Sequence, residues 1–324
     1  MKAFQYVTAG SPEEAASLIG PNGRYLAGGI DLVGEMKEYI VSPDVVVNVK
    51  GVFSPKIPTI LFSDDHAGCL LFATASIAEI AAHQDIQNAV PGLSEAASEV
   101  GSPQIRNVAS LAGNLLQHSR CWYYRQPDIV CLKRGGTMCH SHDGENKYHS
   151  LFTGNPCISP VVSNLAIILT ALDATAHVNR GGKDQAMKMA ELYHEAWVNP
   201  TAHSSLDPQD FLTQVNVPFS RTRSAYRQVS EKAEFDWALV NCAAAGNVTG
   251  GIITNARVVL GAVAPVPYMV AEANKFLEGK PLTDETASKA ADLILREAKP
   301  LEHNGYKIPL AHALIRRTLL ALNP

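Results

Sequence analysis

The stretch that most constrains this chain is residues 109–157, which holds four of its six cysteines. Cys121, Cys131, Cys139 and Cys157 are separated by nine, seven and seventeen residues, with glycines, basic residues and histidines between them. The hydrophobic residues of this stretch do not recur with the period of a helix or of a strand. A long irregular segment inside a globular chain is usually functional, and thiolates are common ligands of inorganic centres. The stretch is therefore predicted to be a loop that folds around a bound centre.

The spacing leaves the nature of this centre open. Cys69 and Cys242 lie in apolar runs and are expected to be packing residues, unlike the four cysteines of the loop. Structural zinc usually takes two close C-x₂₋₄-C pairs, and the common ferredoxin spacing is equally absent. Disulfides are disfavoured in a reducing compartment. Zinc and an iron–sulfur cluster both remain possible, and the histidines of the loop are expected to be solvated.

Length and charge exclude several classes of protein. The 324 residues suggest two or three domains, and 46% hydrophobic residues are enough for a sizeable core. The net charge of −4 offers no basic stripe for nucleic acid or for anionic lipid. No apolar run of membrane-spanning length and no secretory signal is recognisable, so a cytoplasmic location is expected, or a periplasmic one if a partner subunit carries the chain there.

Two segments rich in small residues predict anion-binding loops. A strand at 24–26 runs into the sequence AGGIDLVG, and a helix is expected from residue 31 to about residue 39. Such a turn presents backbone N–H groups together. The segment 110–114 (SLAGN) also allows a ligand to approach the backbone closely. Neither G-x-G-x-x-G nor G-x-x-x-x-G-K-[ST] occurs, which excludes two familiar nucleotide-binding motifs.

The remaining pattern mixes strands and helices without strict alternation, which is typical of an α+β chain. Further strands are expected at 2–7, 44–49, 69–74, 175–178 and 209–217, and helices at 12–19, 76–83, 91–100 and 164–172. After Pro218, three antiparallel strands are expected at 224–229, 238–247 and 252–263, followed by helices at 270–277, 283–298 and 308–322. No Ser/His/Asp order, H-E-x-x-H or carboxylate pair indicates hydrolysis, so redox chemistry is favoured.

Three segments resemble a known family, namely LAGGIDLVGEMK, RNVASLAGNLLQ and AYRQVSEKAEFDWALVNCAAAG. They are similar to the FAD-binding medium subunit of molybdenum hydroxylases, the group that contains xanthine dehydrogenase and carbon monoxide dehydrogenase. The resemblance extends over essentially the whole chain. The cysteine insert is similar to inserts in the medium subunits of periplasmic aldehyde oxidoreductase and 4-hydroxybenzoyl-CoA reductase, which carry an extra [4Fe–4S] cluster. It therefore favours a cluster over zinc, with Cys121, Cys131, Cys139 and Cys157 as ligands.

The resemblance implies an α+β fold with a two-lobed FAD-binding domain of the vanillyl-alcohol oxidase (PCMH-like) type. A C-terminal domain with a three-stranded antiparallel sheet and a three-helix bundle would follow. The implied limits are 1–55 for the first lobe, 56–219 for the second lobe and 220–324 for the C-terminal domain, with the iron–sulfur insert at about 118–160.

The resemblance also implies an FAD site. The first loop would hold the pyrophosphate through backbone N–H groups of Leu26, Ala27, Gly28, Gly29, Ile30, Asp31, Leu32, Val33 and Gly34. The other implied contacts are Val100, Ser110, Gly113, Asn114, Asn164, Thr213, Arg227 and Lys232. Three positions depart from the family pattern: Ile30 replaces a threonine, Asn164 an aspartate and Met269 an arginine.

The implied function is electron transfer, with no catalytic residue for an organic substrate on this chain. A molybdenum-cofactor large subunit would act on the substrate, and a small subunit with two [2Fe–2S] clusters would exchange electrons with the FAD. An external acceptor or donor, such as a ferredoxin-like protein, would complete the route. No nucleic-acid or membrane partner is expected. Two alternatives are a stand-alone flavoenzyme of the same fold and a zinc-stabilised scaffold without flavin.

Overall fold

The computed structural model describes residues 1–324 and contains three sheets. The first is parallel, in the order β1-β3-β2, and comprises β1 (Gln5–Thr8), β2 (Gly23–Leu26) and β3 (Val45–Asn48). Helices α1 (Pro12–Leu18) and α2 (Leu32–Lys37) connect these strands. Ser11 caps α1 by accepting a hydrogen bond from the N–H of Glu14, as its sequence pattern predicts. This small layer forms one side of the cleft described below.

The second sheet is antiparallel, in the order β4-β5-β8-β6-β7. Its strands are β4 (Ile60–Phe62), β5 (Gly68–Phe72), β6 (Thr175–Arg180), β7 (Lys183–Lys188) and β8 (Phe211–Pro218). Phe211 reaches into the core of the first layer, where its ring packs edge-on against Tyr25 with 5.2 Å between centroids. The first layer is thereby tied to the second sheet.

Short helices cover this sheet and lead into the cysteine-rich insert. They are α3 (Ile77–Ala82), α4 (Gln84–Ala89), α5 (Pro91–Ser98), α6 (Pro103–Val108), α7 (Leu111–Leu115), α8 (Trp122–Arg125), α9 (Asn164–Ala171), α10 (Met189–Leu192) and α11 (His194–Val198). Every residue of α9 is buried, because its sequence NLAIILTA is apolar on nearly all sides. No helix of the chain is both long enough and apolar enough to cross a membrane.

The C-terminal part contains a sheet of four strands, in the order β12-β11-β10-β9, and three helices. These elements are β9 (Arg223–Val229), β10 (Val240–Thr249), β11 (Ile252–Gly261), α12 (Ala271–Leu277), β12 (Lys280–Pro281), α13 (Asp284–Leu295) and α14 (Lys307–Leu320). Gly250 and Gly251, with φ of 57° and 78°, form the hairpin turn, which requires positive φ at both positions. The prediction of a three-stranded sheet was wrong by one strand, since β12 is too short to show a strand pattern.

Other differences have local causes. The helix expected to reach residue 39 ends at Lys37, because Tyr39 takes a left-handed conformation with φ of 54°. Strand β7 was missed because its sequence KDQAMK is polar and mostly exposed at the sheet edge. The insert contains only α8 and one 3₁₀ turn, Leu132–Arg134, and is otherwise irregular.

Candidate functional site

A cleft of ≈ 1180 Å³ opens between the first layer and the helices that cover the second sheet. Its lining comes from the loop after β2, the segment 109–118, the irregular segment 199–208 and residues 235–237. Pockets for small ligands usually measure about 300–1,000 Å³. The cleft is therefore large enough for an extended cofactor.

The two glycine-bearing loops contact each other at the base of the cleft. Gly29 adopts φ of 73°, which favours glycine. A Cβ atom on Gly28 would lie only 2.2 Å from the carbonyl oxygen of Val108. Ser110 caps α7 by accepting a hydrogen bond from the N–H of Gly113 at 3.1 Å. Gly28 is thus required because two backbones approach each other closely here. From the sequence, only the close approach of a ligand was expected at these loops.

Twelve of the predicted cofactor-binding residues line this cleft. They are Leu26, Ala27, Gly28, Gly29, Ile30, Asp31, Leu32, Val100, Ser110, Gly113, Asn114 and Asn164.

Five of the predicted residues lie outside the cleft lining, namely Val33, Gly34, Thr213, Arg227 and Lys232. Thr213 donates its hydroxyl to the carbonyl of His177 at 3.0 Å, inside the second sheet. Arg227 and Lys232 are exposed. Gly34 lies on the exposed side of α2, where an added Cβ would meet no atom within 4 Å.

Asp31 ties the first loop to the cysteine insert. Its carboxylate accepts hydrogen bonds from the Arg125 guanidinium and from the N–H of His118, both at 2.7 Å, and pairs with Arg120 at 3.0 Å. Burial alone would raise the pKa of Asp31, but the two arginines outweigh it and lower this pKa. Asp31 is therefore a charged residue that links the first loop to the cysteine insert.

A second buried carboxylate, Glu35, extends this network. It is 1% exposed, accepts a hydrogen bond from the Tyr124 hydroxyl at 2.9 Å and lies 3.0 Å from Nδ1 of His118. The His118 ring stacks on His203, with 4.1 Å between centroids, and burial lowers the pKa of His203 well below its usual value. Asp31, Glu35 and His118 are close enough to hold a cation, but Asp31 and Glu35 already have protein partners. We interpret the set as an ion-pair network that forms one wall of the cleft.

The four insert cysteines meet on the far side of this wall. Cys121, Cys131, Cys139 and Cys157 all line one small cavity. Asp31, Glu35 and His118 form the only set of three potential ligand atoms within 4.8 Å of one another, so no three of the sulfur atoms are grouped that closely. The structure thus brings together four thiols that are up to 36 residues apart in sequence.

The basic residues and histidines of the insert differ in how close they lie to the thiols. Lys133 lines the cavity and is 8% exposed, whereas Arg134 donates to the backbone carbonyls of Gln126 and Ile129 in the preceding segment. Arg120 and Arg125 face Asp31. His149, expected to be solvated, is buried with Nε2 only 3.1 Å from the sulfur of Cys121. A single lysine therefore supplies the positive charge next to the thiols.

The C-terminal part holds the end of the insert. Asn304 is 0% exposed and donates to the carbonyls of His149 at 3.2 Å and Ser150 at 3.1 Å. Lys307 donates to the carbonyl of Tyr148 at 2.9 Å, and burial lowers the pKa of Lys307 to about 7. A neutral amine still carries two N–H groups, so this contact does not require the charged form.

We expect Asn304→Ala to destabilise the protein by about 2–3 kcal/mol, because three buried hydrogen bonds would be lost at about 1 kcal/mol each. Thermal unfolding gives the stability, and limited proteolysis shows whether the insert is cut first. Glu302→Ala is the matched control, because Glu302 is exposed two residues away. An Asn304→Ala protein that unfolds like the wild type would contradict this role.

Comparison with known proteins agrees with this arrangement. A family model described as "FAD binding domain in molybdopterin dehydrogenase" matches residues 2–220. A second, "CO dehydrogenase flavoprotein C-terminal domain", matches residues 224–322. The chain therefore belongs to the family of FAD-binding medium subunits of molybdenum hydroxylases, and the sequence-based assignment to this family is confirmed. Its class is that of an oxidoreductase subunit.

Two relatives and one solved structure illustrate the likeness. The aldehyde oxidoreductase FAD-binding subunit PaoB of Escherichia coli (strain K12) is 30% identical, covering 99% of this chain and 98% of that protein. The carbon monoxide dehydrogenase medium chain of Hydrogenophaga pseudoflava is 23% identical, covering 98% and 96%. A chain of reconstituted CO dehydrogenase from Oligotropha carboxidovorans superposes with a TM-score of 0.76 at 19% identity, covering 99% of this chain and 98% of that one, which shows a shared mixed α/β fold.

Sequence reasoning missed several residues of the cleft. Glu99, His118 and the segments 199–208 and 235–237 line it, yet none was predicted to do so. The polar, irregular character of 199–208 is a weak signal of a functional loop. Nothing in the sequence indicates that this loop and residues 235–237, which precede β10, reach the same cleft.

Proposed function

We propose that this chain is an FAD and [4Fe–4S] electron-transfer subunit of a molybdenum-cofactor dehydrogenase. The observation that carries the proposal is the shared wall between the cleft and the thiol cavity. Lys133 of the cavity donates to the carbonyl of Ala202 in the cleft at 2.7 Å. The N–H of Ser119, also in the cavity, points to Nδ1 of His203 at 3.4 Å. Centres in these two sites would be separated by little more than one layer of residues.

The cleft residues suit FAD. The first loop offers the backbone N–H groups of residues 28–31, which have no acceptor within the protein, and a diphosphate is well held by such donors. In the second loop the N–H groups of residues 111–114 already donate to protein acceptors, so the first loop carries the proposed diphosphate contact. Arg120 lines the cleft, and its Nε is buried without a hydrogen-bond partner. The proposed contacts are the cleft-lining members of the loop 26–32 together with Val100, Ser110, Gly113, Asn114 and Asn164.

The donor set of the insert suits a cluster better than zinc. Tetrahedral zinc with Zn–S bonds of about 2.3 Å places its sulfur ligands about 3.8 Å apart. No three of the four sulfur atoms lie within 4.8 Å of one another, which agrees better with the wider separation of ligands around a cubane. One thiolate from each of Cys121, Cys131, Cys139 and Cys157 would bind one iron, and Lys133 would offset part of the negative charge.

The chemistry of such a subunit is carried by its cofactors. Bound FAD accepts or gives one or two electrons, and a bound cluster transfers one. The protein orients these groups, and the ion-pair network of Asp31 and Glu35 holds the wall between them. The proposed domain limits are 1–55, 56–219 and 220–324, with the insert at about 118–160.

The proposed partners are supported by the family, since the relatives are named as an FAD-binding subunit and a medium chain of larger enzymes. These partners are a molybdenum-cofactor large subunit, a small subunit with two [2Fe–2S] clusters and an external acceptor or donor such as a ferredoxin-like protein. The proposed compartment is the cytoplasm, or the periplasm if the assembled complex is exported.

Native purification of the tagged chain from its own cells tests this function. We expect it to retain a molybdenum-containing subunit and a [2Fe–2S] subunit, with flavin and iron present in the complex. Metal analysis and mass spectrometry of the subunits provide the measurement. A monomer with full turnover of a small substrate would instead support a stand-alone flavoenzyme, and a colourless zinc protein would support a scaffold.

A further inference from the structure

Asn164 presents an unpaired oxygen to the cleft. This residue begins α9, is 7% exposed and lines the cleft. Its Nδ2 donates to Oε1 of Gln228 at 3.1 Å, while its Oδ1 has no partner within the protein. The amide oxygen is therefore available to a ligand as a hydrogen-bond acceptor.

The orientation of this amide is set by two further residues. Nε2 of Gln228 donates to a carboxylate oxygen of Glu99 at 3.1 Å. A carboxylate only accepts hydrogen bonds, so Gln228 must turn its NH₂ group toward Glu99 and its oxygen toward Asn164. Asn164 must then turn its own NH₂ group toward Gln228. Glu99 thus determines which atom of Asn164 faces the cleft.

A buried tyrosine supports the same orientation from the other side. Tyr226 donates its hydroxyl to Oε1 of Gln228 at 2.9 Å and accepts a hydrogen bond from Nδ2 of Asn241 at 2.8 Å. Burial raises the pKa of Tyr226 well above its usual value, so the phenol keeps its proton. The oxygen of Gln228 therefore receives two donors, Tyr226 and Asn164.

A neighbouring asparagine has the opposite polarity. Oδ1 of Asn114 accepts a hydrogen bond from the Ser163 hydroxyl at 2.7 Å, while that hydroxyl oxygen accepts from the N–H of Ala166 at 3.0 Å. Nδ2 of Asn114 is thereby left for the cleft, which Asn114 also lines. The cleft thus offers an oriented acceptor at Asn164 and an oriented donor at Asn114, the two kinds of partner that ligand hydroxyl groups use.

We propose that Glu99 and Gln228 are positioning residues that hold the Asn164 oxygen toward the cleft as the acceptor for a hydroxyl group of FAD. This inference rests on the proposed function. The hydroxyl belongs either to the ribose or to the ribityl chain, which share this chemistry. An amide oxygen accepts from a hydroxyl without placing a negative charge close to the diphosphate of the same ligand.

Two substitutions at one position separate orientation from simple contact. Gln228→Met removes the hydrogen bonds of Gln228 with Asn164, Tyr226 and Glu99 and lets the Asn164 amide rotate, so we expect FAD to bind about tenfold more weakly. Gln228→Glu still accepts from Asn164 and Tyr226, so we expect the Kd to stay within about twofold of the wild type. If Gln228 were only a structural partner of Glu99, Gln228→Glu would weaken FAD binding more than Gln228→Met, because it would place two carboxylates next to each other.

The measurement is fluorescence titration of FAD into the flavin-depleted full-length chain, with thermal unfolding to show that each variant is folded. Competition by ADP identifies the hydroxyl group. If Gln228→Met weakens the binding of ADP as much as that of FAD, the hydroxyl belongs to the ribose. If it weakens the binding of FAD but not that of ADP, the hydroxyl belongs to the ribityl chain. Equal weakening in both variants, or none in Gln228→Met, would overturn the inference. A wild-type chain that binds no FAD would overturn the proposed function itself.

Discussion

Serine in place of any one of Cys121, Cys131, Cys139 or Cys157 is expected to remove the whole iron–sulfur centre and to loosen the insert. The insert has little regular structure, and a metal centre that holds such a segment contributes directly to its folding. We expect about four irons per chain in the wild type and almost none in these variants. Anaerobic analysis of iron and acid-labile sulfide, together with Mössbauer spectroscopy, provides the measurement.

The two other cysteines are the matched controls for this experiment. Cys69 and Cys242 are buried in the two main cores, 2% and 0% exposed, and do not line the thiol cavity. Serine at either position should cost stability, because a hydroxyl is placed in an apolar site, but the iron content should not change. Stoichiometric zinc without sulfide in the wild-type protein would refute the cluster.

The second large effect is expected for Gly28→Val, which should abolish flavin binding. The Cβ atom would lie 2.2 Å from the carbonyl oxygen of Val108, and backbone atoms cannot yield as a flexible side chain can. The first loop would have to move away from the second, and its free N–H groups could no longer point at the diphosphate. The flavin absorbance of the purified chain, compared with its protein content, measures the loss.

Two other glycines make this prediction specific. Gly34→Val adds a side chain where no atom lies within 4 Å, so the flavin content should remain normal. Gly113→Ala brings a Cβ to 3.2 Å from the Ser110 hydroxyl, a side-chain atom that can shift, so a partial loss is expected. Undiminished flavin in the Gly28→Val protein would argue against the proposed cleft.

Local signals predicted much of the fold because they depend on neighbouring residues only. Ser11 caps its helix as the sequence indicates, and the glycine pair at 250–251 turns the expected hairpin. The helices that end the chain also lie close to their predicted ranges. Three strands were not predicted: β7 is a polar edge strand, and β4 and β12, with three and two residues, are too short to show a hydrophobic period. The short helices α4, α6, α7, α8, α10 and α11 were not predicted either.

The family, the two glycine-bearing loops and the set of four cysteines could be recognised in the sequence, because each is a short run or a residue type with its own chemistry. Which residues meet at the cleft depends on the tertiary structure. Glu99 and Gln228 are 129 residues apart, and Asn164 and Gln228 are 64 apart. Such pairs leave no periodic trace in a single sequence, since a hydrogen bond depends on where two distant backbones come together. For the same reason Gly28 could be recognised as necessary, but its contact with Val108 could not.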